Sequence, residues 1–245
     1  MPRQDSWGRR SKDNQAYPKG YIPTSSSSYD AVTPPTRASK PIFHVHGYHT
    51  RQLQDLIGLN REDVVLVNVD AHDDWIEDDR VKSVTDITEA YLDDPDSQAC
   101  WVYVATKFDL VEEVIWVVPN PKFETYTREE LTYGLEEVSE RNGEYHGKLH
   151  GKNVTVTTLD KLDRLGPNKS VVLSVDEDFL GEAEEHWYDP GKKWIRASKV
   201  SKILVNKIKK PLSVSTFRSP AYMSYYLQDE GLILEKKLKK GYNVK

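Results

Sequence analysis

Two short runs of β-branched residues, each ending on a carboxylate-rich segment, constrain this chain more than any other feature. The first, Val64-Val65-Leu66-Val67-Asn68-Val69, leads into Asp70-Ala71-His72-Asp73-Asp74, and the second, Ser170-Val171-Val172-Leu173-Ser174-Val175, leads into Asp176-Glu177-Asp178. Continuous apolar runs of this length read as strands buried on both faces, the setting of a central parallel sheet. In open α/β sheets ligands sit beyond the carboxyl ends of such strands. Residues i and i+2 of a strand share a face, so Asp70 with His72 and Asp176 with Asp178 can converge on one point, and Asp74 continues that side. Carboxylates mixed with imidazole suit Mn²⁺ better than structural zinc, and two ions about 3.5–4 Å apart can share a hydroxide.

From residue 41 onward, apolar runs alternate with helix-like stretches, which predicts an α/β fold with a mostly parallel, doubly wound sheet in a three-layer αβα sandwich. Strands are expected at 42–46, 64–69, 114–118, 154–158, 170–175 and 212–216. Helices are expected at 50–57, 87–92, 99–109, 128–141, 197–208 and 222–239. The run Tyr145-His146-Gly147-Lys148-Leu149-His150-Gly151 reads as a surface loop with a spare role as a lid over substrate.

A length of 245 residues accommodates one α/β domain over 41–245 preceded by an N-terminal arm over 1–40. The arm carries seven Lys/Arg against three Asp, so the remaining chain bears −9 of a total net charge of −5. Its Ser25–Ser28 run, Pro34-Pro35 pair and few aliphatics read as flexible or surface-draped. Its scattered charges beside an acidic body argue against nucleic acid as a partner. No apolar run reaches membrane-spanning length, no secretory h-region is visible, and the lone Cys100 fits a reducing interior, so a cytoplasmic location is expected.

Three segments together resemble the arginase or ureohydrolase superfamily: Gly47-Tyr48-His49-Thr50, Asp70-Ala71-His72-Asp73-Asp74 and Asp176-Glu177-Asp178. With Cys100–Ala105, Val114–Pro119 and Ser215–Pro220 included, residues 41 to about 225 look like a divergent branch that contains the peptide arginases. Tyr48 stands where the small-molecule arginases carry Asp, and their Gly-Asn-His-Gly and Glu-x-Asn-Pro segments are missing. Those parts serve free arginine, so the resemblance implies peptidyl arginine as substrate, converted to ornithine and urea by a hydroxide bridging two metal ions. The deacetylase-like cousins keep one zinc and lack the carboxylate at the Asp74 position.

The resemblance also implies the ligands. One Mn²⁺ would be held by His49, Asp70, Asp74 and Asp176, the other by Asp70, His72, Asp176 and Asp178, with other divalent metals open. Asp74 would hand a proton to the departing amine, and His46 is the histidine closest in sequence to serve as shuttle, as its pKa lies near operating pH. Glu185, Trp187 and Asp189 follow the second motif and are the candidates for gripping a guanidinium. The expected partner is an arginine-containing peptide, with homo-oligomers known in the superfamily. Competing readings are a small guanidino or formimino hydrolase, and a non-catalytic protein that binds cationic peptides in the same cleft.

Overall fold

The computed structural model describes residues 40–182, 191–218 and 227–244. Almost all of the arm assigned to residues 1–40, and Glu185, Trp187 and Asp189, lie outside the described residues. Strand β1 (Ile42–His46) leads into α1 (Arg51–Leu59) and β2 (Val64–Val69), followed by α2 (Glu89–Leu92), α3 (Trp101–Lys107), β3 (Glu113–Val118), α4 (Asn120–Thr125) and α5 (Arg128–Leu131). Then come β4 (Glu136–Arg141), β5 (Glu144–Leu149), β6 (Lys152–Thr158), β7 (Ser170–Asp176), β8 (Gly181–Glu182), β9 (Lys192–Lys193), α6 (Ala197–Lys207), β10 (Ser213–Phe217) and α7 (Gln228–Gly241).

Eight strands form one sheet in the order β1-β10-β7-β2-β3-β6-β5-β4. The first six run parallel, and β5 and β4 add an antiparallel edge. Every residue of β2 and β7 is buried, as their unbroken apolar runs require. One face packs Leu53 and Leu56 of α1 and Trp101 and Val104 of α3 on Leu66, Val114 and Val172. The other packs Val200 and Leu204 of α6 and Leu234 and Leu238 of α7 on Val67, Leu173 and Val214. Each such aliphatic side chain contributes about 1.5–3 kcal/mol by leaving water, so helices on both faces lock a three-layer αβα sandwich. No helix among the described residues is long and apolar enough to cross a membrane.

The six expected strands and the helices α1, α3 and α6 form near their expected bounds. The helix expected at 87–92 shortens to Glu89–Leu92, and α7 starts at Gln228, with 222–226 outside the described residues. The helix expected at 128–141 is overturned, because only Arg128–Leu131 is helical and Glu136–Arg141 is a strand. Gly134 at φ +77° ends the helical stretch, and Asn142-Gly143 at φ +56° and +73° form the two-residue turn that joins β4 to β5. The loop expected over Tyr145–Gly151 is overturned as well. It is mostly strand β5, and His150-Gly151 at φ +51° and +77° repeat the tight turn into β6. His146 hydrogen-bonds Thr155, while His150 meets the Tyr103 ring edge-on, so neither has the freedom of a lid.

Candidate metal centre

After β2 the chain proceeds through β3 and β6 to one side of the sheet, and after β7 through β10 to the other, so the direction of winding reverses between β2 and β7. A crevice opens at the carboxyl ends of strands that diverge in this way. Asp70 follows β2 directly, with its amide donating to the Val117 carbonyl at 3.1 Å and its own carbonyl accepting from Trp116 Nε1 at 3.1 Å. Asp176 closes β7, and Val69 pairs with Val175 across the ladder, so the two aspartates emerge side by side. Asp70 Oδ1 accepts from the His72 amide at 2.8 Å and Asp176 Oδ1 from the Asp178 amide at 2.9 Å. These local turns, a habit of Asp, fold the second ligand of each motif back over the first. Asp178 Oδ1 accepts from the Ala71 amide at 3.3 Å and ties the two motifs together.

His49 arrives from the loop between β1 and α1. Its Nε2 lies 2.5 Å from Asp176 Oδ2 and its Nδ1 2.8 Å from Asp74 Oδ2 and 3.6 Å from Asp70 Oδ2. His72 Nδ1 lies 2.8 Å from Asp178 Oδ2 and 3.7 Å from Asp70 Oδ1. The result is two overlapping groups, His49–Asp70–Asp176 and Asp70–His72–Asp178, whose ligand atoms lie within 4.8 Å of one another and which share Asp70. Asp74, in the left-handed region at φ +56°, also accepts from Trp101 Nε1 at 2.7 Å.

Burial makes this collection of charge costly. It pushes the Asp70 carboxyl well above its ordinary range, and the Asp74, Asp178 and Asp176 charges push in the same direction. Burial alone would lower both histidines, yet Asp176 and Asp74 raise His49 well above the usual imidazole value, and Asp178 does the same for His72. Burial would raise Asp178, but the charge and hydrogen bond of His72, together with the Lys122 and His49 charges, outweigh it and hold that carboxyl low. The buried ammonium of Lys122, which donates to the Ala71 carbonyl at 3.4 Å, adds a further positive charge at this edge.

The donor set fits divalent cations. Asp70 Oδ2 and Asp178 Oδ2 are buried and find no hydrogen-bond donor among the described residues, although His72 Nδ1 stands 2.8 Å from the latter. Buried His/Asp groups that share one carboxylate fit a dinuclear divalent centre.

All six residues expected as ligands, His49, Asp70, His72, Asp74, Asp176 and Asp178, thus meet at one sheet edge. His46 lies elsewhere. Its Nε2 is 3.1 Å from Asp55 Oδ2, and its ring stacks on Phe217, which in turn meets His49 edge-on. Sequence reasoning singled out neither Trp101, which orients Asp74 from 27 residues away, nor Lys122 or Phe217. A lone Trp in an apolar helix and a lone Lys before an aromatic carry no pattern that distinguishes them from packing and surface residues.

No family model matches this chain, and no curated protein matches it. Among solved structures it is similar to the agmatine ureohydrolase of Thermoplasma volcanium, at 14% identity and a TM-score of 0.40, over 82% of this chain and 63% of that one. It is also similar to a hypothetical agmatinase from Burkholderia thailandensis, at 14% identity and a TM-score of 0.44, over 83% of this chain and 58% of that one. The chain therefore spans less than two thirds of the length of either ureohydrolase structure.

Proposed function

We propose that this protein is a metal-dependent guanidino hydrolase that converts arginine within a peptide to ornithine and releases urea. The observation that carries the reading is the pair of His/Asp groups that share the buried Asp70, whose Oδ2 has no hydrogen-bond donor among the described residues. His49, Asp70, Asp74 and Asp176 would hold one ion, and Asp70, His72, Asp176 and Asp178 the other, with Mn²⁺ favoured by the carboxylate and imidazole donors. Bound there, the ions supply Lewis acidity and bring the pKa of a water near neutrality.

The reaction adds water across the guanidinium carbon and breaks its bond to the side-chain nitrogen, which leaves as the ornithine amine and needs a proton. Asp74 is the residue proposed to hold and return that proton. Its Oδ2 accepts from Trp101 Nε1 and faces His49 Nδ1, so the carboxylate is oriented from two sides before substrate arrives. His46 rests against Asp55 and Phe217, and the proton path proposed here does not use it. Support for a peptide substrate comes from the sequence: Tyr48 in place of an acidic residue, and the missing segments that serve free arginine.

The test incubates the Mn²⁺-loaded full chain with an arginine-containing peptide and, separately, with free arginine. Urea together with a loss of about 42 Da per arginine in the peptide is the expected outcome, as C–N hydrolysis removes that mass. Urea from free arginine alone would overturn the peptide assignment, and no urea from either would overturn the guanidino hydrolase.

A further inference from the structure

His44 and His46 alternate along β1 so that both face α1, and Asp55 reaches down from α1 between the helix and the sheet. Their rings lie 5.3 Å apart and within 10° of parallel. Each presents the same nitrogen to a different oxygen of one carboxylate: His46 Nε2 lies 3.1 Å from Asp55 Oδ2, and His44 Nε2 lies 3.7 Å from Asp55 Oδ1. The longer separation exceeds a hydrogen bond. Two ligand atoms about 2.1 Å from one ion at the tetrahedral angle stand about 3.4 Å apart, and the two observed separations bracket that value.

A fourth donor is at hand. Gln52 is fully buried, its amide nitrogen lies 3.4 Å from Asp55 Oδ2, and its Oε1 has no partner among the described residues. In the absence of an ion the Gln52 amide nitrogen donates to Asp55 Oδ2; exchanging the two ends of the amide, which have nearly the same shape, would give up that hydrogen bond and turn the orphaned oxygen toward the carboxylate. An oxygen facing a carboxylate is repelled unless a cation lies between them. Ser215, wholly buried, places Oγ 3.2 Å from Asp55 Oδ2 and holds the carboxylate as outer partners of metal ligands do.

We propose that His44, His46 and Asp55, with the Gln52 amide oxygen, form a second cation site that takes one transition-metal ion of the zinc class and pins edge strand β1 to helix α1. The site is separate from the candidate dinuclear centre. The Phe217 ring contacts His46 on one side, at 5.4 Å between centroids, and His49 on the other, at 4.9 Å. The proposal stands without the guanidino hydrolase reading, since it rests on other residues and on metal content alone.

The test loads the full chain with Zn²⁺, removes free ion, and counts bound metal per chain by elemental analysis, with Co²⁺ absorption as a second readout. His44→Gln and Asp55→Asn are each expected to lose one equivalent and its Co²⁺ band, whereas Asp70→Asn is expected to retain that band while losing ions of the other centre. His44 is the most exposed of the three, so its variant is the least disruptive of folding, and circular dichroism confirms that it is folded. Unchanged metal content and Co²⁺ spectrum in folded His44→Gln and Asp55→Asn proteins would overturn the proposal and leave a hydrogen-bonded patch of the core.

Discussion

The middle of the central sheet and its antiparallel edge handle charge differently. At the carboxyl ends of β2 and β7, four buried aspartates, the buried His49 and the half-buried His72 lie within a few ångströms, and the buried Asp70 Oδ2 has no hydrogen-bond donor among the described residues. On the antiparallel edge, β4 carries Glu136, Glu137, Glu140 and Arg141 in solvent and β5 carries Glu144 and Lys148 half-buried, with pairs such as Lys148 to Glu137 at 2.6 Å. Water solvates the second set at little cost. The first set is unfavourable as a fold feature on its own, so its presence is best accounted for by a cation that the fold is built to receive.

The largest expected effect breaks that contrast at Asp70. In the metal-free protein Asp70→Asn removes a carboxylate crowded by Asp74, Asp178 and Asp176, so the variant should unfold at a higher temperature than the parent. With metal the order should reverse. An ion at about 100 times its dissociation constant stabilises the parent by about 2.7 kcal/mol, or roughly 5–10 °C for a chain of this size. The variant should lose more than about 100-fold in metal affinity and show little of that shift. The metal-free protein also holds protons on His49 and His72 above the ordinary imidazole range, and ions must displace them. Metal affinity should therefore climb as pH rises above about 6.5. Calorimetry with and without Mn²⁺ checks both, and a metal-free Asp70→Asn protein less stable than its parent would end the argument from crowding.

Glu177, between the two ligands of the second motif, sharpens the comparison because it is buried without being part of the cluster. It points to α7, where a Cβ added on Gly231 would collide with its carboxyl, and its Oε1 has no partner among the described residues. Burial raises its pKa from 4.5 to about 8, against the pull of Arg218. The folded state thus keeps a proton that the unfolded chain releases near 4.5. Its contribution to stability is fully present below that pH and drains away as pH rises through 8. Glu177→Gln should remove this dependence, matching the parent near pH 4.5 and exceeding it by on the order of 2–4 kcal/mol at pH 8. Denaturant midpoints at the two pH values would settle it, and equal slopes in parent and variant would show that Glu177 is ionised in the fold.

Trp101→Phe tests orientation of the proposed proton carrier rather than ligation. Losing the indole N–H removes one buried donor to Asp74, at a cost of about 1–3 kcal/mol. If Asp74 serves the proton step, kcat for urea release should fall about tenfold or more while KM holds, a split that mere loosening of α3 would not give.

Much of this was legible in the chain itself, and the rest was not for definable reasons. The β-branched runs marked β2 and β7 because a strand buried on both faces has no polar alternation to disguise it. Asp70, His72, Asp176 and Asp178 were legible as a group because both carboxylate-rich segments close apolar strands, but what brings His72 and Asp178 back over Asp70 and Asp176 is a side-chain-to-backbone turn beyond each strand and not strand alternation. Strand β4 was misread as the end of a helix because its charged residues imitate a solvated helical face, and β5 as a loop because its glycines and polar residues hide a strand, although Asn142-Gly143 announced the turn between them. Trp101 and Asp55 were invisible for another reason. Their partners, Asp74 and the pair His44 and His46, meet them only through packing of separate elements, and no local period records such a meeting.

The smallest expected effect lies on the solvated edge. Lys148→Ala removes the 2.6 Å pair with Glu137, in which Glu137 is exposed and the Lys148 side chain is partly so. Water replaces a surface partner almost as well as the protein does, and the freed side chains regain entropy, so the loss should stay below about 0.5 kcal/mol and shrink further in salt. Double-mutant analysis with Glu137→Ala would isolate the pair itself. A coupling above about 1 kcal/mol would mean that charge on the hairpin depends on its protein partners as strongly as charge at the carboxyl ends of β2 and β7, and the inference from a buried, donorless carboxylate to a bound cation would lose its contrast.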